Sequence, residues 1–161
     1  MEKNLPENVK STIDLNGLIQ IALVVKDIET VAKNWSEVFG IPMPKIDYIT
    51  PPEQCQIYYR GEKSFSRAKI ACIPLGPITI ELTEPDEHDT SWKEFLETHN
   101  GNGVHHLGFS VGSDEKRDAV IKMLEERGVG VRHYGYYPGG SYTFVDSEEQ
   151  LGVILNVKPH E

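Results

Sequence analysis

Four residues spread along the chain carry groups suited to metal-assisted chemistry: Gln20, Glu81, His106 and Asn156. They offer two amide oxygens, a carboxylate and an imidazole. This mixed set suits a divalent ion of the Zn, Ni, Co or Mn kind better than a soft thiolate site would. With coordination positions left open, such an ion takes a carbonyl or enolate oxygen of a small substrate. Their dispersed spacing alone leaves a second reading open, in which each is a polar group on a curved sheet.

Strands must bring these residues together. Residues 18–25 (LIQIALVV) are apolar and rich in β-branched types, and predict a strand. Asp27 is a helix N-cap, and apolar Ile28, Val31, Ala32, Trp35, Val38 and Phe39 follow at helical spacing until Gly40. Further strands are predicted at 45–50, 54–60, 69–73 and 78–83. Residues 62–67 read as a loop, 85–89 as a turn and 91–98 as a short helix. After 100–103 the pattern restarts, with a strand at 104–111, a helix at 114–127, and strands at 129–137, 141–145 and 153–157. Turns fall at 138–140 and 147–149.

The restart is an internal repeat. Gln20 aligns with His106, Ala22 with Gly108 and Val24 with Ser110. A polar residue followed by small ones thus opens the same face of each leading strand. Period-2 alternation turns Ile21, Leu23, Leu107 and Phe109 to the helices. By the same rule Ile80, Leu82, Leu155 and Val157 point to the core, while Gln20, Glu81, His106 and Asn156 share the opposite, continuous face. Alternation puts His105 on the helix side, as a packed core histidine. The fold class is therefore α+β, in one domain of two modules, 18–100 and 101–161, preceded by a loose arm at 1–17.

Other groups bear on a reaction. His133 lies on a strand near an aromatic run, where it is a candidate acid–base group lining the cleft. Tyr136, Tyr137, Tyr142 and Phe144, with Tyr58 from the first module, either pack the core or wall a pocket for a ring-bearing substrate. Tyr134 belongs to the same run. Glu148 and Glu149 are solvated turn residues, or one reaches the cleft as a base. Arg60, Lys63 and Arg67 are loop charges or an anchor for an anionic group.

The bulk properties narrow the partners. The 161 residues are 39% hydrophobic and 25% charged, enough for one ordered domain with a real core. A net charge of −9 argues against nucleic acid. Cys55 and Cys72 make no disulfide framework. The polar N-terminus has no signal-peptide h-region, and no apolar run approaches membrane-spanning length. These features predict a cytoplasmic protein acting on a small molecule.

At these residues the chain resembles the vicinal oxygen chelate superfamily, in the branch around methylmalonyl-CoA epimerase and glyoxalase-like proteins. The resemblance runs through IQIALVVKDIETVAKNWSEVFGI, IELTEPDEHDTSWKEFLETHNGNGVHHLGFSV and GGSYTFVDSEEQLGVILNV, covering about residues 18–159. It implies paired βαβββ modules forming an eight-stranded, incompletely closed mixed sheet around a cleft, often in a homodimer. It implies one divalent metal on Gln20, Glu81, His106 and the closing-strand position Asn156. Related lyases and epimerases carry Glu at that last position, as ligand and base. Asn cannot take a proton at neutral pH.

The reading that follows is a metal-dependent epimerase or racemase moving a proton α to a carbonyl. Its substrate bears a ring, as in the isoflavanone racemases this branch resembles, or is a thioester. The base is Glu81 once it leaves the metal, or His133, or a tyrosine. The alternatives are a lactoylglutathione-lyase-type isomerase and a metal-free protein that sequesters a hydrophobic ligand. A ring-cleaving dioxygenase fits least, because its iron site wants two His and one Glu and position 20 is Gln.

Overall fold

The computed structural model describes residues 11–161, so the first ten residues of the expected arm lie outside it. Within the described part, residues 11–17 are not loose. Leu15–Gly17 form a 3-10 turn, and Asp14 accepts a hydrogen bond from the Asn16 amide at 2.9 Å. Ile13 and Leu18 pack on the apolar cluster of the second module.

Among the described residues, ten strands and four helices follow. The first module contains β1 (Leu18–Val24), α1 (Ile28–Phe39), β2 (Ile46–Tyr48), β3 (Gln56–Tyr59), β4 (Glu62–Ser64), β5 (Lys69–Leu75), β6 (Ile78–Glu84) and α2 (Ser91–Thr98). The second contains β7 (Gly103–Ser110), α3 (Asp114–Glu126), β8 (Val131–Tyr137), β9 (Gly140–Val145), α4 (Glu148–Leu151) and β10 (Ile154–Lys158). Asp27 caps α1 through the Thr30 amide, and α1 ends on Gly40 in the left-handed conformation, as the sequence predicts.

The strands make one mixed sheet in the order β2-β5-β6-β1-β7-β10-β9-β8-β3-β4. Eight of them, β2-β5-β6-β1 and β7-β10-β9-β8, are related by a pseudo-twofold between β1 and β7. β1 runs parallel to β6 as β7 runs parallel to β10, and β1 and β7 meet antiparallel. The paired-module expectation therefore holds, with ten strands in place of eight.

The extra two are the β3–β4 hairpin, which leaves the first module and pairs β3 antiparallel with β8. Residues 62–64, expected as loop, form β4. The segment Glu-Lys-Ser has no apolar alternation to mark it; backbone pairing with Ile57–Tyr59 makes it a strand. Similarly, where a turn is expected at 147–149, Glu148–Leu151 close one helical turn, α4.

Two clusters back the modules, as the strand faces predict. Ile21, Leu23, Ile80 and Leu82 pack with Ile28 and Ala32 of α1. Leu107, Phe109, Leu155 and Val157 pack with Val120 and Leu124 of α3. A third cluster lies on the inner face and unites Val24, Ile57, Trp92, Phe95, Phe144 and Ile154. Burying each large side chain contributes about 1.5–3 kcal/mol. α2 sits over this inner cluster. It is tied to the sheet by ion pairs from Glu94 to Arg60 at 2.8 Å and to Arg132 at 3.9 Å.

Candidate active site

The four residues singled out by type do converge. Gln20 on β1, Glu81 on β6, His106 on β7 and Asn156 on β10 all line one cleft of about 300 Å³. Their register repeats the pseudo-symmetry: Glu81 sits beside Ala22, and Asn156 sits beside Gly108. Gln20 Nε2 donates to Glu81 Oε2 at 2.6 Å, and His106 Nε2 lies 2.8 Å from Gln20 Oε1. Thr83 Oγ1 donates to Glu81 Oε1 at 3.3 Å. A side chain at Gly108 would meet Gln20, since a Cβ there would lie 2.9 Å from Gln20 Cβ and Oε1. The small residue that follows the polar one thus gives Gln20 room to reach across.

Asn156 departs from its expected role. Its Oδ1 accepts the Thr143 amide at 3.1 Å, which only an oxygen can do. Its Nδ2 therefore faces the cluster, 3.4 Å from Gln20 Oε1 and 3.5 Å from His106 Nε2. An NH2 group is no metal ligand. As it stands, Asn156 orients Gln20, turning its carbonyl oxygen to His106. The donors that fit a divalent ion are then Gln20 Oε1, Glu81 and His106 Nε2. Two of these, the Gln20 oxygen and the imidazole nitrogen, already lie 2.8 Å apart, and the carboxylate adjoins them, paired with no basic side chain among the described residues.

Burial sets the electrostatics. Desolvation raises the Glu81 carboxyl above its ordinary range, opposed by Lys158 and by the bonds from Thr83 and Gln20. Burial lowers His106 to about 3, with repulsion from Lys158 and His133 adding to it. His106 is therefore a neutral imidazole, the form that ligates a metal.

His133 does not line the cleft. It is fully buried, its Nδ1 accepts the Ser91 amide at 3.2 Å, and its Nε2 lies 3.2 Å from Tyr142 Oη. The first bond fixes the tautomer, so Nε2–H donates to Tyr142. Both nitrogens are spent, and burial lowers its pKa to about 3. Its hydrogen bond toward the cleft is to Tyr142, whose hydroxyl is held protonated by burial. Alternation could not show this layering, because it assigns a face and not a depth.

Of the expected aromatic wall, Tyr137, Tyr142 and Phe144 line the cleft. Tyr58 and Tyr136 do not. Tyr58 stacks on Tyr134 at 5.0 Å, and Tyr136 is half exposed on an outer groove against α3. The cleft also takes Tyr48, Ile49, Thr50, Ile70, Trp92 and Lys158. Lys158 was legible, being two residues beyond Asn156 on the same face. Trp92 was not, since its place depends on how α2 docks. Glu148 is held by Arg132 at 3.3 Å and His99 at 3.2 Å, away from the cleft. Arg60 is likewise engaged, by Glu94 and Asp146.

His105 is a packed histidine as expected, but on the opposite face. The β1–β7 register slips where Ala22 pairs with His106 and Leu23 with Val104, leaving His105 as the extra residue of a β-bulge. It turns inward beside Phe95 and Phe144.

The sequence matches the Glyoxalase/Bleomycin resistance protein/Dioxygenase superfamily over residues 19–145. The chain belongs to this superfamily. No curated protein matches it by sequence. Among solved structures it is similar to methylmalonyl-CoA epimerase from Mycobacterium tuberculosis, with 17% identity, a TM-score of 0.58 and coverage of 95% of both chains. A hypothetical protein from Bacillus halodurans is 23% identical, with a TM-score of 0.58 and coverage of 88% of this chain and 91% of that one. A Streptomyces coelicolor methylmalonyl-CoA epimerase variant in complex with 2-nitronate-propionyl-CoA is 19% identical, with a TM-score of 0.58 and coverage of 91% and 94%. At these identities the likeness is one of fold. Among the described residues no helix is long and apolar enough to cross a membrane.

Proposed function

We propose that the chain is an epimerase or racemase, removing and returning a proton next to a carbonyl of a small ring-bearing or thioester substrate. One observation carries this: a carboxylate of raised pKa, Glu81, stands at the cleft against Gln20 and His106, facing the aromatic residues Tyr137, Tyr142 and Phe144. Gln20, Glu81 and His106 would hold a divalent ion of the Zn, Ni, Co or Mn kind, which when bound polarises a carbonyl oxygen. Glu81 takes the proton once it leaves the ion, since a free buried carboxylate of raised pKa both accepts and returns one. Tyr142 offers its hydroxyl proton to the substrate, because its oxygen already accepts from His133. His133 acts by positioning Tyr142. Trp92, Ile49 and Ile70 exclude water. A thioester is supported by the structurally similar methylmalonyl-CoA epimerases, one of them in complex with 2-nitronate-propionyl-CoA. A homodimer accompanies this reading on family grounds, and sedimentation would detect it.

The test is incubation of carbonyl candidates in deuterated water. Deuterium at the carbon α to the carbonyl supports the proposal, and protein-dependent exchange on none of them contradicts it. Asn156 makes a lactoylglutathione-lyase reaction a poor fit, which Asn156→Glu assayed with methylglyoxal and glutathione would probe. One observation favours a metal-free hydrophobic-ligand-binding protein: the cleft's polar groups already satisfy one another by hydrogen bonds. Elemental analysis of protein purified without chelator separates that reading.

A further inference from the structure

His106 is held from behind as well as from the cleft. Its Nδ1 lies 2.8 Å from His105 Nδ1, and His105 Nε2 lies 2.9 Å from Ser91 Oγ. All three residues are buried. Ser91 is the first residue of α2, and its backbone amide meanwhile donates to His133. One serine thus touches the histidines behind both walls of the cleft. We propose that Ser91 and His105 are positioning residues, which set the orientation and tautomer of His106 and so govern its readiness to take a divalent ion. This rests on the metal reading given above.

The protons can be placed one by one. Gln20 Oε1 only accepts, so in this structure His106 Nε2 carries the proton and donates to it. His106 Nδ1 then holds a lone pair and accepts from His105 Nδ1–H. His105 Nε2 in turn accepts the Ser91 hydroxyl proton. To ligate, His106 must free the Nε2 lone pair and carry its proton on Nδ1, where it donates to His105 Nδ1. His105 then carries its proton on Nε2 and donates to Ser91 Oγ. Each ring holds one proton in both states; the His106 Nε2 proton passes to water as its lone pair is freed, and a proton from water restores the Ser91 hydroxyl, so the states interconvert by exchange with solvent. The hydrogen-bond relay is satisfied in both states because a hydroxyl both donates and accepts. A bulge makes it possible, since regular alternation would turn His105 away from His106.

The directionality gives a specific expectation. Without the Ser91 hydroxyl, the ligating state leaves the buried His105 N–H only the weaker contact with the Ser91 backbone, whereas the other state leaves only an unpaired lone pair. Ser91→Ala therefore disfavours the ligating tautomer, while the His133 bond, made by the backbone, stays. Outer partners of metal-ligating histidines are typically worth about 10–100-fold in affinity.

The experiment is zinc titration calorimetry with wild type, Ser91→Ala and His105→Phe, joined to ¹⁵N NMR of the histidine rings with and without zinc. His105→Phe keeps the ring contacts with Phe95 and Phe144 and serves if Ser91→Ala does not fold. The expected results are a proton on His106 Nε2 and His105 Nδ1 in the metal-free wild type, a switch to His106 Nδ1–H with zinc, and about 10–100-fold weaker zinc binding in the variants. Equal zinc affinity in folded variants overturns the proposal. If the wild type binds no zinc, nickel, cobalt or manganese, the metal reading fails instead. The metal-free tautomers then decide the relay alone: His106 Nε2–H with His105 Nδ1–H upholds it, and any other pattern overturns it.

Discussion

The two modules put different chemistry at equivalent points. β6 brings Glu81 beside Ala22, and β10 brings Asn156 beside Gly108 at the matching register. β1 and β7 contribute Gln20 and His106 in the same way. The first half therefore supplies an amide and the carboxylate, and the second supplies an imidazole and an amide. The second half is also the more tightly wired. Asn156 is pinned by the Thr143 amide, and His106 by His105, whereas Glu81 accepts only side-chain donors from Gln20 and Thr83. A duplicated frame fixes where a side chain stands and leaves its chemistry free to diverge.

The largest expected effect removes the first module's share. Glu81→Gln keeps the shape and lowers exchange of the α proton by about 10²–10⁴-fold, measured by NMR in deuterated water. Retained exchange would shift the basic group to the second module.

Acid probes the second module next. His133, His106 and His105 have pKa values lowered from 6.5, the first two to about 3. The unfolded chain binds their protons first, so metal-free stability falls as pH drops from about 6.5 toward 3. The slope is at most about 1.4 kcal/mol per pH unit for each histidine. Glu81, raised, opposes this by favouring the fold at low pH. Denaturant unfolding at a series of pH values reads the balance, and a flat profile across that window would contradict the buried, neutral histidines.

Asn156→Leu sharpens the amide's role. It leaves the buried Thr143 amide without its partner and costs about 1–3 kcal/mol of stability by denaturant unfolding. A smaller effect comes from Tyr142→Phe. It strands the His133 Nε2–H and slows α-proton exchange by about tenfold, consistent with loss of one neutral hydrogen bond to substrate.

These contrasts also mark how far the sequence could be read. The paired modules were legible because the leading strands repeat polar-then-small at Gln20-Ala22 and His106-Gly108. The cleft face followed from period-2 alternation alone. What alternation cannot see is a bulge, and His105 changed faces because of one. Nor can it see long-range pairing: Glu62–Ser64 becomes a strand only because its hairpin reaches β8. Side-chain direction was equally hidden. Asn156 faces the cleft as expected, yet the Thr143 amide takes its oxygen and leaves the nitrogen for the cluster. Tyr58 and Tyr136 stand in the right strands but on the outer surface.

Metal stoichiometry tests the central claim most directly. Elemental analysis of wild type, Glu81→Ala and Asn156→Leu, each purified without chelator, compares the equivalent positions of the two modules. Gln20, Glu81 and His106 as the ligand set predict one divalent ion per chain in wild type, its loss in Glu81→Ala and its retention in Asn156→Leu. Loss of metal from Asn156→Leu, with retention in Glu81→Ala, would contradict that assignment.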